Sequence, residues 1–248
     1  MSKKILVVHP YDKSTIFLNR IKNHINVNFP ENLHYFSVKP NEASHIKCLE
    51  IVKNFSNDGL IFFMGHGKSN CLYGAKGDYY GTLKNNDLEA QDPDKYYYED
   101  NYITKQNIDV FDKKKVIALT CNSNAQVGKI SIDNGAKVFM GFGDLPTSNE
   151  ELEEQGEENK PGVSLSKITK ALKTEISYTM KRSIEIGIRK DYTFSELVNF
   201  IHFMITQKIS HYLVDQKKLK ERKIIANYLY TFKKSIKIYG NGNEKLLN

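Results

Sequence analysis

Apolar residues in the first 145 positions fall in short runs, unbroken at LIFFM, separated by stretches with helical spacing. Runs at 5–9, 34–38, 60–64 (LIFFM), 116–120 (VIALT) and 137–141 read as five strands. The intervening patterns at 14–25, 45–55, 103–111 and 126–134 read as helices, the last stopped near Gly135. Strands alternating with helices predict a parallel sheet covered by helices on both faces. Runs without polar alternation suit central strands buried on both sides.

The second half changes character. From 163 to 231 the pattern is helical, with Leu165, Ile168, Leu172 and Ile176 on one face and a later apolar set of Leu197, Phe200, Ile201, Met204 and Ile205. Strand character returns at 235–239, just before Gly240 and Gly242. Two stretches break the rhythm. Residues 71–101 are rich in Tyr, Asp and Gly and predict an ordered flap inserted at the carboxyl edge of the sheet. Residues 144–162 carry Glu150, Glu151, Glu153, Glu154, Glu157 and Glu158 with little to bury, which predicts an exposed, mobile segment, either a regulatory loop or an ordinary connection. The expected organisation is one α/β domain over 1–248: a sheet core at 1–143, the acidic segment at 144–162, and helices leading to a terminal strand at 163–248.

Composition narrows the class. At 248 residues and 40% hydrophobic content, the chain can bury one sizeable core. The opening MSKKILVV has the charge of a signal peptide but too short an apolar run, and no stretch approaches the roughly 20 apolar residues that span a bilayer. Three cysteines, Cys48, Cys71 and Cys121, form no CxxC pair and no disulfide framework. A cytoplasmic protein without membrane contact is expected. The net charge of +7 concentrates near the C-terminal end, at Lys217, Lys218, Lys220, Arg222, Lys223, Lys233 and Lys234. Such a run is either a solvated helix face or a surface for an acidic partner or nucleic acid. No GxGxxG or GxxxxGK[ST] sequence occurs, and no cofactor or metal is expected; the His66 and Cys71 pair lacks further ligands at close spacing.

Two strand ends carry the candidate chemistry, because open α/β sheets bind ligands outside the carboxyl ends of their strands. The third strand ends in Met64-Gly65-His66-Gly67 and the fourth in Leu119-Thr120-Cys121-Asn122-Ser123. Neighbouring parallel strands would set His66 beside Cys121. An imidazole there can take the thiol proton, and a thiolate can attack a carbonyl carbon. The oxyanion so formed needs donors in place, for which the Gly67 and Cys121 N–H groups are candidates. Each residue also has a plain structural reading, His66 in a tight Gly turn and Cys121 as a small buried hydrophobe. Asn122 and Ser123 either orient the loop around the nucleophile or cap the next helix.

The MGHG and LTCNSNA strand ends, 55 residues apart from His66 to Cys121, resemble the caspase-like cysteine peptidases, most closely the bacterial CHAT branch. The segment from Asn134 to Phe142 is similar to that family's Gly-Ala turn and following strand, and Lys237-Ile238-Tyr239-Gly240-Asn241 to its terminal strand and turn. The resemblance implies a caspase-like fold and a thiol protease cleaving a protein substrate through a Cys-His dyad. It further implies a role in bacterial antiviral defence or programmed death, with activation by a partner or small-molecule ligand. Asp144, after the fifth strand, and Asp78, in the flap, are candidate carboxylates for a basic substrate side chain; both also suit turns. Two other readings stay open: a catalytically inactive caspase-like binding module, and an α/β domain that senses a small molecule.

Overall fold

The computed structural model describes residues 4–77, 93–144, 146–156 and 162–247. In chain order the strands are β1 (Ile5–Pro10), β2 (Leu33–Val38), β3 (Leu60–Met64), a small hairpin of β4 (Gly67–Lys68) and β5 (Cys71–Leu72), β6 (Lys115–Leu119), β7 (Val138–Gly141) and β8 (Lys237–Gly240). The helices are α1 (Asn19–Asn28), α2 (Glu42–Asn54), the single turn α3 (Pro93–Tyr96), α4 (Gln126–Asp133), α5 (Asn149–Glu154), α6 (Leu165–Arg189), α7 (Phe194–Ser210) and α8 (Arg222–Ser235).

Six strands form the central sheet in the order β2-β1-β3-β6-β7-β8, all parallel except for β8, which runs antiparallel to β7. Successive side chains of a strand point to opposite faces, and both faces are covered. Ile5, Val7, Phe62, Met64, Ile117 and Met140 face α1 and the helices α6, α7 and α8. Leu6, Val8, Ile61, Phe63, Val116 and Ala118 face α2, α4 and Phe111. This double burial explains the unbroken apolar runs: a polar residue on either face would lose water without gaining a partner. Among the described residues no helix is long and apolar enough to cross a membrane.

The register of β3 with β6 matters most for the site. Leu60 pairs with Lys115 and Met64 with Leu119, so the two strands start and stop at the same level.

Several expected elements differ. The helix expected at 14–25 is split into a 3-10 turn, Lys13–Leu18, and α1, because Asp12 caps the turn by accepting from the Ser14 N–H and so tightens it. The helix expected at 103–111 is reduced to a 3-10 turn, Ile108–Phe111. Ile103 instead bridges Leu72, and the Asn107 side chain ties down Tyr102 O and the Thr104 N–H. The helical stretch from 163 to 231 is three α-helices, broken at 190–193 and again at 216–221, after a π-helical turn, His211–Asp215, that extends α7.

The acidic segment is not wholly irregular either. Ser148 and Glu151 form a reciprocal capping box that opens α5, and Leu152 is fully buried against Ile168 and Leu172. The pattern Ser148-x-x-Glu151 carried that signal in the sequence, and one buried leucine suffices to pin a helix whose other faces are glutamates. In the flap, the described flanks pair with each other. Gly74 N–H donates to Glu99 O, Gly77 N–H to Tyr97 O, and Lys76 bridges Tyr98. His45 anchors this ribbon, accepting from the Ala75 N–H at 2.9 Å while Tyr102 donates to its carbonyl at 2.9 Å.

Candidate active site

The paired ends Met64 and Leu119 set the geometry, since His66 and Cys121 each follow two residues later on adjacent strands. Both side chains line one crevice, together with Thr15, Phe17, Leu18, Gly65, Leu119, Thr147 and Ile176. Its free volume of about 20 Å³ takes little more than a water molecule. Of the three cysteines only Cys121 is partly exposed; Cys48 and Cys71 are buried. Burial pushes the Cys48 thiol up to about 11, against a weaker opposing contact from Tyr102. Burial likewise raises Cys71, whose Sγ donates to Asp100 O at 3.4 Å.

The loop after β6 is held by its own residues. Asn122 adopts the left-handed conformation (φ 55°), which turns the chain sharply just past Cys121, and its N–H donates to Gly143 O. Ser123 is fully buried; its hydroxyl donates to Ala118 O at 2.7 Å and accepts from the Phe142 N–H at 2.9 Å. It therefore braces the loop between β6 and β7 and does not cap α4, whose N-terminal flank is Ala125 without a side-chain cap. Gly141 permits this close approach, as a Cβ there would lie 2.3 Å from Ser123 O.

Gly67 opens β4, and the ladder leaves its amide unused. Tyr73 N–H donates to His66 O, so Gly67 and Leu72 form a non-hydrogen-bonded pair and the Gly67 N–H points away from the hairpin. A Cβ at Gly67 would stand 2.8 Å from Thr120 Oγ1 and 3.1 Å from Cys71 O, so only glycine fits beside the residue preceding Cys121.

Two residues that sequence reasoning missed complete the surroundings of His66. Ser14 Oγ lies 2.6 Å from His66 Nε2 and 2.7 Å from Asp12 Oδ1, and Asp12 Oδ2 lies 3.6 Å from the same ring nitrogen. Partial burial would push the Asp12 carboxyl up, but its contacts with His66 and Ser14 outweigh that and hold it at about 2. Asp12 is therefore ionised at neutral pH and can only accept. The single Ser14 hydroxyl proton goes to Asp12, which leaves the Ser14 oxygen to accept from Nε2–H. Neutral His66 thus carries its proton on Nε2 and its lone pair on Nδ1. A base is available at Nδ1, and Asp12 faces the charge that the ring acquires on taking a proton. The same proton count argues against Ser14 as a nucleophile, because its hydrogen is committed to the carboxylate. Both residues sit in the first βα turn, HPYDKS, whose Asp-x-Ser pattern reads only as a turn in one dimension.

Asp144 is exposed, accepts from Gln155 Nε2 at 2.6 Å and is not among the residues lining the crevice. Asp78 lies outside the described residues. Comparisons with protein-family models, curated proteins and solved structures return no match.

Proposed function

We propose that this chain is a caspase-like cysteine endopeptidase in which Cys121 is the nucleophile and His66 the general base. The observation that carries the reading is the shared crevice at two aligned strand ends, holding a partly exposed thiol and an imidazole whose Nε2 is tied to Ser14 and Asp12. In the proposed reaction the Cys121 proton passes to Nδ1 and the thiolate attacks the peptide carbonyl. The oxyanion is met by the Gly67 and Cys121 N–H groups. As the tetrahedral species collapses, His66 returns the proton to the leaving amine, and water, deprotonated by the same ring, releases the acyl group from sulfur.

The crevice is too narrow for a substrate side chain, and Thr147, which leads into α5, forms part of its wall. Displacement of that acidic segment by a partner or ligand is the activation step that this reading requires. The resemblance of the strand ends to the CHAT branch supports a role in bacterial defence or programmed death, and three cysteines outside any disulfide suit a cytoplasmic setting.

The test compares wild type with Cys121→Ala and His66→Ala on a proteome-derived protein mixture, with new peptide termini read by mass spectrometry. Discrete cleavage products are expected from wild type alone. Products that persist in Cys121→Ala sink the proposal.

A further inference from the structure

Beyond the crevice, three concavities join along the carboxyl rim of the sheet. The first, about 310 Å³, lies against His66, Tyr73 and Tyr98. It shares Asp12, Ser14 and Lys76 with a second of about 340 Å³, which shares Gly77 with a third of about 360 Å³ floored by Tyr11, Ser37 and Pro40. Together they make one groove, from His66 after β3, across the end of β1, to the end of β2. Four lysines line it: Lys13, Lys39 and Lys95 are exposed, and the Lys76 ammonium sits 5.5 Å above the Tyr98 ring. Lys13, Lys39 and Lys76 have no carboxylate within ion-pair distance among the described residues. Of the groove's carboxylates, Asp12 faces His66, and Glu150 and Glu151 also stand at that end, so beyond it Asp94, which accepts from Asn41, is the one acidic group among the lysines in the described lining.

We infer that this groove binds an extended polypeptide bearing carboxylate side chains on one side of the bond to be cleaved. The inference rests on the peptidase reading for its substrate and on the groove for its specificity. From the end of β6, where Cys121 stands, the end of β1 is two strand spacings away and that of β2 three, about 10 and 14 Å, or about three and four residues of extended chain. The acidic positions therefore lie about three to five residues from the scissile bond. A partly buried ammonium over an aromatic ring and exposed lysines discriminate charge rather than shape, so Asp and Glu are both accepted and Gln is not.

The experiment uses the full-length Cys121→Ala protein and fluorescence anisotropy. The probe is a fluorescein-labelled Gly-Ser decapeptide with Glu at three alternate positions, and its counterpart carries Gln at the same three. The Glu peptide is expected to bind about tenfold more tightly at low ionic strength, with the gap narrowing as salt rises. Lys13→Gln combined with Lys39→Gln removes most of that gap. Lys217→Gln combined with Lys218→Gln, the same charge change at exposed lysines of the α7–α8 connection, leaves it. Equal binding of the two peptides, or equal loss in both double variants, overturns the inference. So does displacement of the peptide by sodium triphosphate at a concentration matching that of unlabelled Glu peptide, which would mark a site for small anions. Binding is read without turnover, so a positive result stands if the wild type cleaves nothing. A working peptidase indifferent to acidic residues sinks only this inference.

Discussion

Ser14 Oγ stands 2.6 Å from His66 Nε2, and with Asp12 accepting the hydroxyl proton this contact fixes which nitrogen of the ring is basic. Ser14→Ala removes the selection, because Nε2 then loses its acceptor and the neutral ring divides between tautomers. Alkylation of Cys121 by iodoacetamide should slow by about tenfold, a typical share of base catalysis for a misdirected ring. Ser14→Thr keeps the hydroxyl and should retain most of the rate. Asp12→Asn should slow the reaction at least as much as Ser14→Ala, since an amide can donate to Ser14 and turn its proton toward Nε2. Unchanged alkylation in all three variants would show that the thiol acts without the ring.

Gly67→Ala tests the backbone donor. The added Cβ would meet Thr120 Oγ1 at 2.8 Å and Cys71 O at 3.1 Å, neither of which lies at the end of a flexible side chain. The β4–β5 hairpin must shift away from the β6 end, carrying the Gly67 N–H with it. Peptide cleavage should fall by about a hundredfold, the scale of one lost oxyanion donor. Thermal stability should fall far less, because the sheet beneath is untouched. Full activity in Gly67→Ala would remove this amide from the mechanism.

How legible all this was depends on the distance over which each interaction acts. LIFFM and VIALT are legible as strands because a strand buried on both faces must be apolar throughout, and their adjacency follows from the parallel order. His66 and Cys121 are legible because glycine and a strand end flag a rim position. Ser14 and Asp12 are not: they reach His66 from 52 and 54 residues away, and in one dimension they spell a turn. The 3-10 turn at Ile108–Phe111 was hidden for a similar reason, as Asn107 satisfies backbone groups that a helix would otherwise have used. The Ser148 capping box was present in the sequence, but a block of glutamates outweighed it.

Leu152 holds the acidic segment to the body of the protein, being fully buried while its neighbours on α5 are mostly exposed carboxylates. Leu152→Ala should cost about 2–4 kcal/mol in chemical denaturation, if the cavity left against Ile168 and Leu172 does not collapse. It should also loosen Thr147 over the crevice, so Cys121 is alkylated faster although the protein is less stable. A cost below about 0.5 kcal/mol would match a surface residue and would mean that the segment is draped over the site and not anchored.

Acid should undo the first βα turn in two steps that have the same sign. Burial at the end of β1 lowers His9 to about 4 from an ordinary 6.5, despite an opposing hydrogen bond to the Asn19 side chain. Between pH 6.5 and 4 the unfolded chain therefore binds a proton that native His9 refuses, and stability falls as pH falls, by about 3 kcal/mol at the lower end. Asp12 has the same protonation preference but the opposite charge preference, being held as the anion. Its carboxyl is held at about 2 against an ordinary 3.8, so its contribution is complete above pH 3.8 and is lost as pH drops toward 2. Denaturant midpoints from pH 7 to pH 3 should separate the two. His9→Gln should flatten the decline between pH 6.5 and 4, and Asp12→Asn should leave that limb intact while flattening the one below it. Parallel curves for wild type and both variants would place the acid sensitivity elsewhere in the chain.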